Sequence, residues 1–264
     1  MLYLIFLLQV IMTVISLKKI GLFLSLGVLI WLYLTYKLSL RLKLPKDRYS
    51  KIQWEDMPWL YDGIARMANR ARIPMPTIYV EDSPIPTAYS FKNSIVLSAG
   101  LFEVLSEDEI LAVAAHEIGH IKNADTILFP ISKYGQYGIG VLSAAVIMFG
   151  SSFYAKLISL ITFFAYLLSL HKFLRKREFM ADNVAIRIAE VPYALKNALE
   201  ELKYYEAMIN SKDIPLPTIQ PQINRKKDER LNIATLISTH PTYEERIARI
   251  MAIVDMYNRI FEFN

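Results

Sequence analysis

The chain has no cysteine among its 264 residues. That absence excludes a disulfide framework, a thiolate metal site and a cysteine nucleophile, so any metal must be held by histidine and carboxylate side chains. Histidine is itself scarce, at four residues. Charge is missing from two stretches. Residues 1–40 carry only Lys18, Lys19 and Lys37, and residues 134–170 only Lys156, so these stretches hold 4 of the 55 charged residues. The rest of the chain has the charge density of an ordinary soluble protein. Two hydrophobic blocks set into a soluble composition exclude both intrinsic disorder and a purely soluble protein. The net charge of +5 does not point to nucleic acid, because the basic residues collect beside the hydrophobic blocks, as they do next to anionic lipid.

A single helix over residues 1–36 would be about 54 Å long against a hydrocarbon core of about 30 Å. The block is therefore expected to form two spans, 2–17 and 20–36, broken at residues 18–21. The alternative, a cleaved signal peptide, calls for a basic start, a short apolar core and a small-residue cleavage site, and none is present. The same arithmetic makes residues 134–170 a second hairpin, 136–154 and 157–170, broken at Gly150, Ser151 and Ser152. A buried or re-entrant hairpin is the alternative there, since Lys156 sits early in the second segment. Lys37, Arg41, Lys43, Lys46 and Arg48 follow the first block, and Lys172, Arg175, Lys176 and Arg177 follow the second. The positive-inside rule then puts both hydrophilic parts in the cytoplasm. The expectation is a multi-pass protein of the cell membrane with its soluble domain facing the cytoplasm, divided at residues 1–36, 37–133, 134–170 and 171–264.

In the soluble parts, residues 54–72 read as an amphipathic helix ended by two prolines. Residues 77–81, 87–91 and 94–98 are short β-branched and aromatic runs, expected to form a small antiparallel sheet in a mainly α protein. Ser106 with Glu109 is a capping box opening a helix over 107–123, and Thr242 with Glu245 is a second, opening a closing helix to about residue 261. Residues 174–189 and 192–209 read as helices. Residues 211–230, with three prolines and the basic run Arg225, Lys226, Lys227, read as a loop or partly ordered lid.

His116 and His120 lie four apart in the capped helix with Glu117 between them. That spacing puts both imidazoles on one face, able to bind one cation, and turns Glu117 about 100° aside, toward a water on the open coordination position. Two imidazoles and a carboxylate favour zinc, one per chain, with Glu117 as the base that takes a proton from the attacking water. A third ligand is needed. The candidate is Glu178, because Glu178 and Asp182 are again four apart and Ala181 leaves room for a close helix; one carboxylate can ligate while the other holds an imidazole N–H.

The run His116-Glu117-Ile118-Gly119-His120, the hydrophobic hairpin after it, Glu178-Phe179-Met180-Ala181-Asp182 and His240-Pro241-Thr242-Tyr243-Glu244-Glu245-Arg246-Ile247 together resemble the HtpX-type membrane metallopeptidases, relatives of the CAAX prenyl proteases. The resemblance implies a zincin-like (gluzincin) catalytic domain with about four transmembrane helices. It also implies zinc on His116, His120 and Glu178, Glu117 as general base and Asp182 behind the ligands. The implied activity is quality control of misfolded or damaged membrane proteins. Arg246 is a candidate to pair with Asp182 or Glu178, and His240 to donate to the developing oxyanion. Thr87, Ala88, Tyr89 and Ser90 are a candidate edge strand for aligning an extended polypeptide substrate. Two other readings compete: a CAAX-type processing protease with a lipidated substrate, and a non-catalytic membrane scaffold with a structural zinc site.

Overall fold

The computed structural model describes residues 1–41, 47–191, 193–211 and 241–262. The chain divides into two units, Met1–Leu44 with Ala124–Arg177, and Pro45–Asn123 with Glu178–Asn264.

The first unit is helical and apolar. Helix α1 runs over Leu2–Arg41, but Lys18, with φ 52° and ψ −125°, interrupts it. That conformation is rare for a residue with a side chain, and it marks a reversal. A methyl group on Gly138 would lie 2.9 Å from Val28 Cγ1 and 3.4 Å from Phe6 Cε2. In a straight helix Phe6 and Val28 would be about 33 Å apart, so the two halves of α1 fold back on each other beside Gly138. The break falls within the expected 18–21, at a lysine and not at Gly21. Helix α5, Asp125–Phe149, ends at Gly150, and helix α6 runs over Phe153–Ile188. Residues 157–170 and 174–189, expected as separate helices, are thus one, because His171-Lys172-Phe173 contains no glycine or proline to stop the first. Among the described residues, two helices are long and apolar enough to cross a membrane: α1 over Leu2–Leu38, and α6. Helix α5, with Pro130 and several serines and glycines, is not one of them.

The second unit carries the sheet. Strands β1 (Tyr49–Ile52), β2 (Thr77–Glu81), β3 (Ala88–Phe91) and β4 (Ser94–Ser98) lie in the order β1-β2-β4-β3. The sheet is mixed, which corrects the antiparallel expectation: β1 and β3 pair antiparallel with their neighbours, but β2 and β4 are parallel. The segment after β2 carries the chain past the sheet, so the β3–β4 hairpin enters with β4 inside. Three consecutive buried residues, Ile95, Val96 and Leu97, are the pattern of a strand with neighbours on both sides. Helix α2 (Pro58–Ala71), the short α3 (Ala99–Val104), α4 (Glu107–Lys122), α7 (Ala194–Ser211) and α8 (Tyr243–Glu262) complete the elements.

Helix α4 is the centre of this unit. Its capping box forms, with the Glu109 carboxylate accepting the Ser106 N–H at 2.9 Å. Its apolar side chains Ile110 and Ile118 join Leu60, Ile64 and Met67 of α2 and Ile95 and Leu97 of β4 in one core. Each such residue contributes roughly 1.5–3 kcal/mol on burial. At α8 the second capping box also forms: Glu245 accepts the Thr242 N–H at 3.0 Å, and the Glu245 N–H donates to Thr242 Oγ1 at 3.2 Å.

Candidate metal centre

A helix packed on every side still turns one stripe toward its neighbour, and on α4 that stripe holds His116 and His120. Their Nε2 atoms are 3.1 Å apart. Helix α6 brings Glu178 to them, with Oε2 3.6 Å from His116 Nε2 and Oε1 3.8 Å from His120 Nε2. One ligand atom from each of the three lies within 4.8 Å of the others. Three donors bound tetrahedrally at about 2.1 Å would be roughly 3.4 Å apart, so the spacing fits a single small cation. The donor set fits as well. Two imidazole nitrogens and a carboxylate oxygen form a donor set that zinc takes.

Gly119 makes the approach possible. A methyl group there would lie 2.8 Å from Ala181 Cα and 2.8 Å from the Ala181 carbonyl oxygen. Any side chain on that face of α4 would push α6, and Glu178 with it, away from the histidines. Reasoning on the sequence singled out Ala181 but missed Gly119; the signal was a glycine inside a strong helix, which costs helix stability and needs a packing reason.

Asp182 lies one turn beyond Glu178. Its Oδ1 accepts the His116 Nδ1 proton at 2.9 Å, which leaves Nε2 free to ligate. Arg246 donates Nε to Asp182 Oδ2 at 3.0 Å and Nη2 to Oδ1 at 2.6 Å. Nη2 is also 3.2 Å from His116 Nδ1. With His116 donating to Asp182, those two nitrogens are both donors, so the contact is a consequence of sharing one carboxylate and not a bond of its own.

Burial opposes the charge on Asp182, but the His116 and Arg246 partners outweigh it and hold the carboxyl below its ordinary range. Burial likewise opposes the Arg246 charge, and Asp182, Glu178 and Glu117 more than restore it. For His116, burial and the Arg246 charge disfavour protonation, yet Asp182 and Glu178 prevail and its pKa is raised to about 9.

Glu117 is 6% exposed, beside its neighbours His116 and His120 at 7% each. The site is shielded from bulk water without being sealed.

Strand β3 packs against α4 and is an edge of the sheet. The Ser98 N–H donates to the Thr87 carbonyl at 2.9 Å, which sets the phase of the β3–β4 ladder. Alternate residues of an antiparallel strand bond the same neighbour, so Thr87, Tyr89 and Phe91 face β4. Ala88 and Ser90 turn their backbone N–H and C=O toward the free edge. The Tyr89 hydroxyl donates to Tyr49 Oη at 2.9 Å, and Tyr49 donates to Glu81 at 3.0 Å. This links β3 to β1, a strand not anticipated in the sequence. His240 and residues 212–230 of the expected lid lie outside the described residues.

Residues 55–254 match the model of peptidase family M48. The chain belongs to that family. Membership in M48 makes it a metal-dependent peptidase, in keeping with the His116, His120 and Glu178 cluster. It is 31% identical over 241 residues to a protease HtpX homolog of Persephonella marina, covering 83% of this chain and 82% of that one. It is 30% identical over 239 residues to another, of Pelotomaculum thermopropionicum, covering 83% and 84%. A third, of Paraburkholderia phytofirmans, is 29% identical over 239 residues, covering 83% and 82%.

Proposed function

We propose that the protein is a zinc-dependent endopeptidase of the cell membrane that hydrolyses peptide bonds in unfolded or damaged membrane proteins. The observation that carries this reading is the buried convergence of His116, His120 and Glu178 with Glu117 in the same helical turn. His116, His120 and Glu178 would hold the ion, which when bound would supply a Lewis acid able to lower the pKa of a water to about 7.

The protein's own residues do the rest. Glu117 is the general base: it takes a proton from the attacking water and returns it to the leaving amide nitrogen as the C–N bond breaks. Asp182 keeps the His116 proton on Nδ1, and Arg246 holds Asp182 ionised and in place. Ala88 and Ser90 pair with the backbone of an extended substrate, which gives affinity with little demand on its sequence. His240 is assigned as the hydrogen-bond donor to the developing oxyanion.

In the same proposal, residues 1–36 and 134–170 are two membrane hairpins, in contact with lipid. Residues 37–133 and 171–264 form one catalytic domain on the cytoplasmic side. The similarity to HtpX proteases favours neither CAAX-type processing nor a non-catalytic scaffold. A structural zinc site, moreover, has no use for a base beside an open position.

The test is hydrolysis of an unfolded protein, beside a prenylated peptide, by the full chain purified in detergent. Cleavage of the unfolded protein that stops with a chelator and returns with zinc supports the reading. Cleavage that survives complete metal removal sinks it, and preference for the prenylated peptide promotes the processing protease.

A further inference from the structure

Asp125 is fully buried, at the first residue of α5. A buried carboxylate is costly unless a cation meets it. Here the Arg177 guanidinium does so, donating Nε to Asp125 Oδ1, with its own side chain only 13% exposed. The same guanidinium lies 5.9 Å from the centre of the Phe173 ring, one turn back along α6.

Where the two residues stand in the chain gives the pair its meaning. Asp125 follows His120, the second histidine of the metal cluster, by five residues. Arg177 immediately precedes Glu178 in the unbroken helix α6. Between them runs the whole of the second hydrophobic stretch, 51 residues from 126 to 176. A ligand set split by such an excursion must repay the entropy of closing it. An ion pair joining the two residues that flank the excursion closes it at its base. The turn at that base is committed too: Ala124, just before Asp125, has φ 58° and ψ 28°, a left-handed conformation that alanine rarely adopts. Nothing in the chemistry of peptide hydrolysis requires a buried ion pair at this position.

We propose that Asp125 and Arg177 are positioning residues, a clamp across the base of the hydrophobic excursion that fixes where Glu178 stands relative to His116 and His120 and so sets the affinity for zinc. This rests on the metal-centre reading above. Neither residue touches the ion.

The test measures zinc affinity of the full chain in detergent, by competition with a chelator, together with thermal stability in zinc-free buffer. Asp125→Asn and Arg177→Met are expected to weaken zinc at least about tenfold, the scale of losses outside the ligand set. Arg177→Lys keeps the charge and is expected to retain more zinc affinity than Arg177→Met. Tyr166→Phe is the control for general damage to the same unit, since it removes the 2.9 Å hydrogen bond from the Tyr166 hydroxyl to the Ser132 carbonyl. It should lower stability and leave zinc affinity unchanged. Unchanged affinity in Arg177→Met overturns the clamp, as does an equal loss in Tyr166→Phe. A wild type that binds no zinc overturns the metal centre itself and is recognised without any substitution.

Discussion

Arg246 grips Asp182 through two nitrogens, at 3.0 and 2.6 Å, so the carboxylate that orients His116 is itself held from the far side. The two side chains are 64 positions apart, on α6 and α8, and meet with Asp182 Oδ1 2.9 Å from the His116 imidazole. Asp182→Asn keeps the shape but not the charge. It is expected to lower zinc affinity about 10–100-fold, the usual loss when a partner behind a metal ligand is removed. Asp182→Ala also strands the Arg246 charge and is expected to destabilise the fold by about 3–5 kcal/mol. Chelator competition and thermal denaturation check the two effects separately.

The contact between Gly119 and Ala181 leads to a sharper steric prediction. Gly119→Val puts an isopropyl group where not even a methyl group fits, against backbone and not against a flexible side chain. Helix α6 must shift, Glu178 retreats from the histidines, and both zinc content and activity are expected to be lost. The overpacking costs about 1–3 kcal/mol. A Gly119→Val protein with full zinc content and wild-type turnover would show that the helices do not meet as described.

Much of the metal centre was legible because its parts repeat at helical spacing. His116 and His120 share a face of α4 by number alone, and so do Glu178 and Asp182 on α6. That these two faces meet is a tertiary fact, hinted at only by the small residues Gly119 and Ala181. The sheet was less legible. Runs of four or five residues announce strands, but the direction of pairing between β2 and β4 depends on how the chain crosses between them, which no local pattern records. The three consecutive apolar residues Ile95, Val96 and Leu97 were the available sign of a central strand. Strand β1 was hidden because its residues Tyr49, Ser50 and Lys51 are polar enough to read as a linker. The continuity of α6 was missed because a change in composition after Leu170 resembles a boundary, although helix breakers, and not polarity, end helices.

The phase of β3 predicts different outcomes for proline at adjacent positions. Ser90→Pro removes an N–H that faces the free edge, a place where edge strands accept proline. It should leave folding and zinc content intact while raising KM for an unfolded substrate by about tenfold, the loss of roughly one hydrogen bond. Tyr89→Pro removes an N–H bonded to β4 and should destabilise the domain. Equal effects at the two positions would contradict the assigned edge.

Because the chain lacks cysteine, its topology is directly measurable with single thiols. A cysteine at position 19, beside the reversal at Lys18, is expected to react with an impermeant reagent in intact cells. One at position 50, in β1, is expected to react only after lysis. The opposite pattern would reverse the proposed orientation.

Replacing Glu117 separates catalysis from metal binding. The full chain and its Glu117→Gln variant are purified in detergent, their zinc measured, and both assayed on an unfolded protein. One zinc per chain is expected in both, with a loss of activity in the variant of at least about a hundredfold. Equal cleavage by the two zinc-loaded proteins would contradict the role of Glu117 as general base.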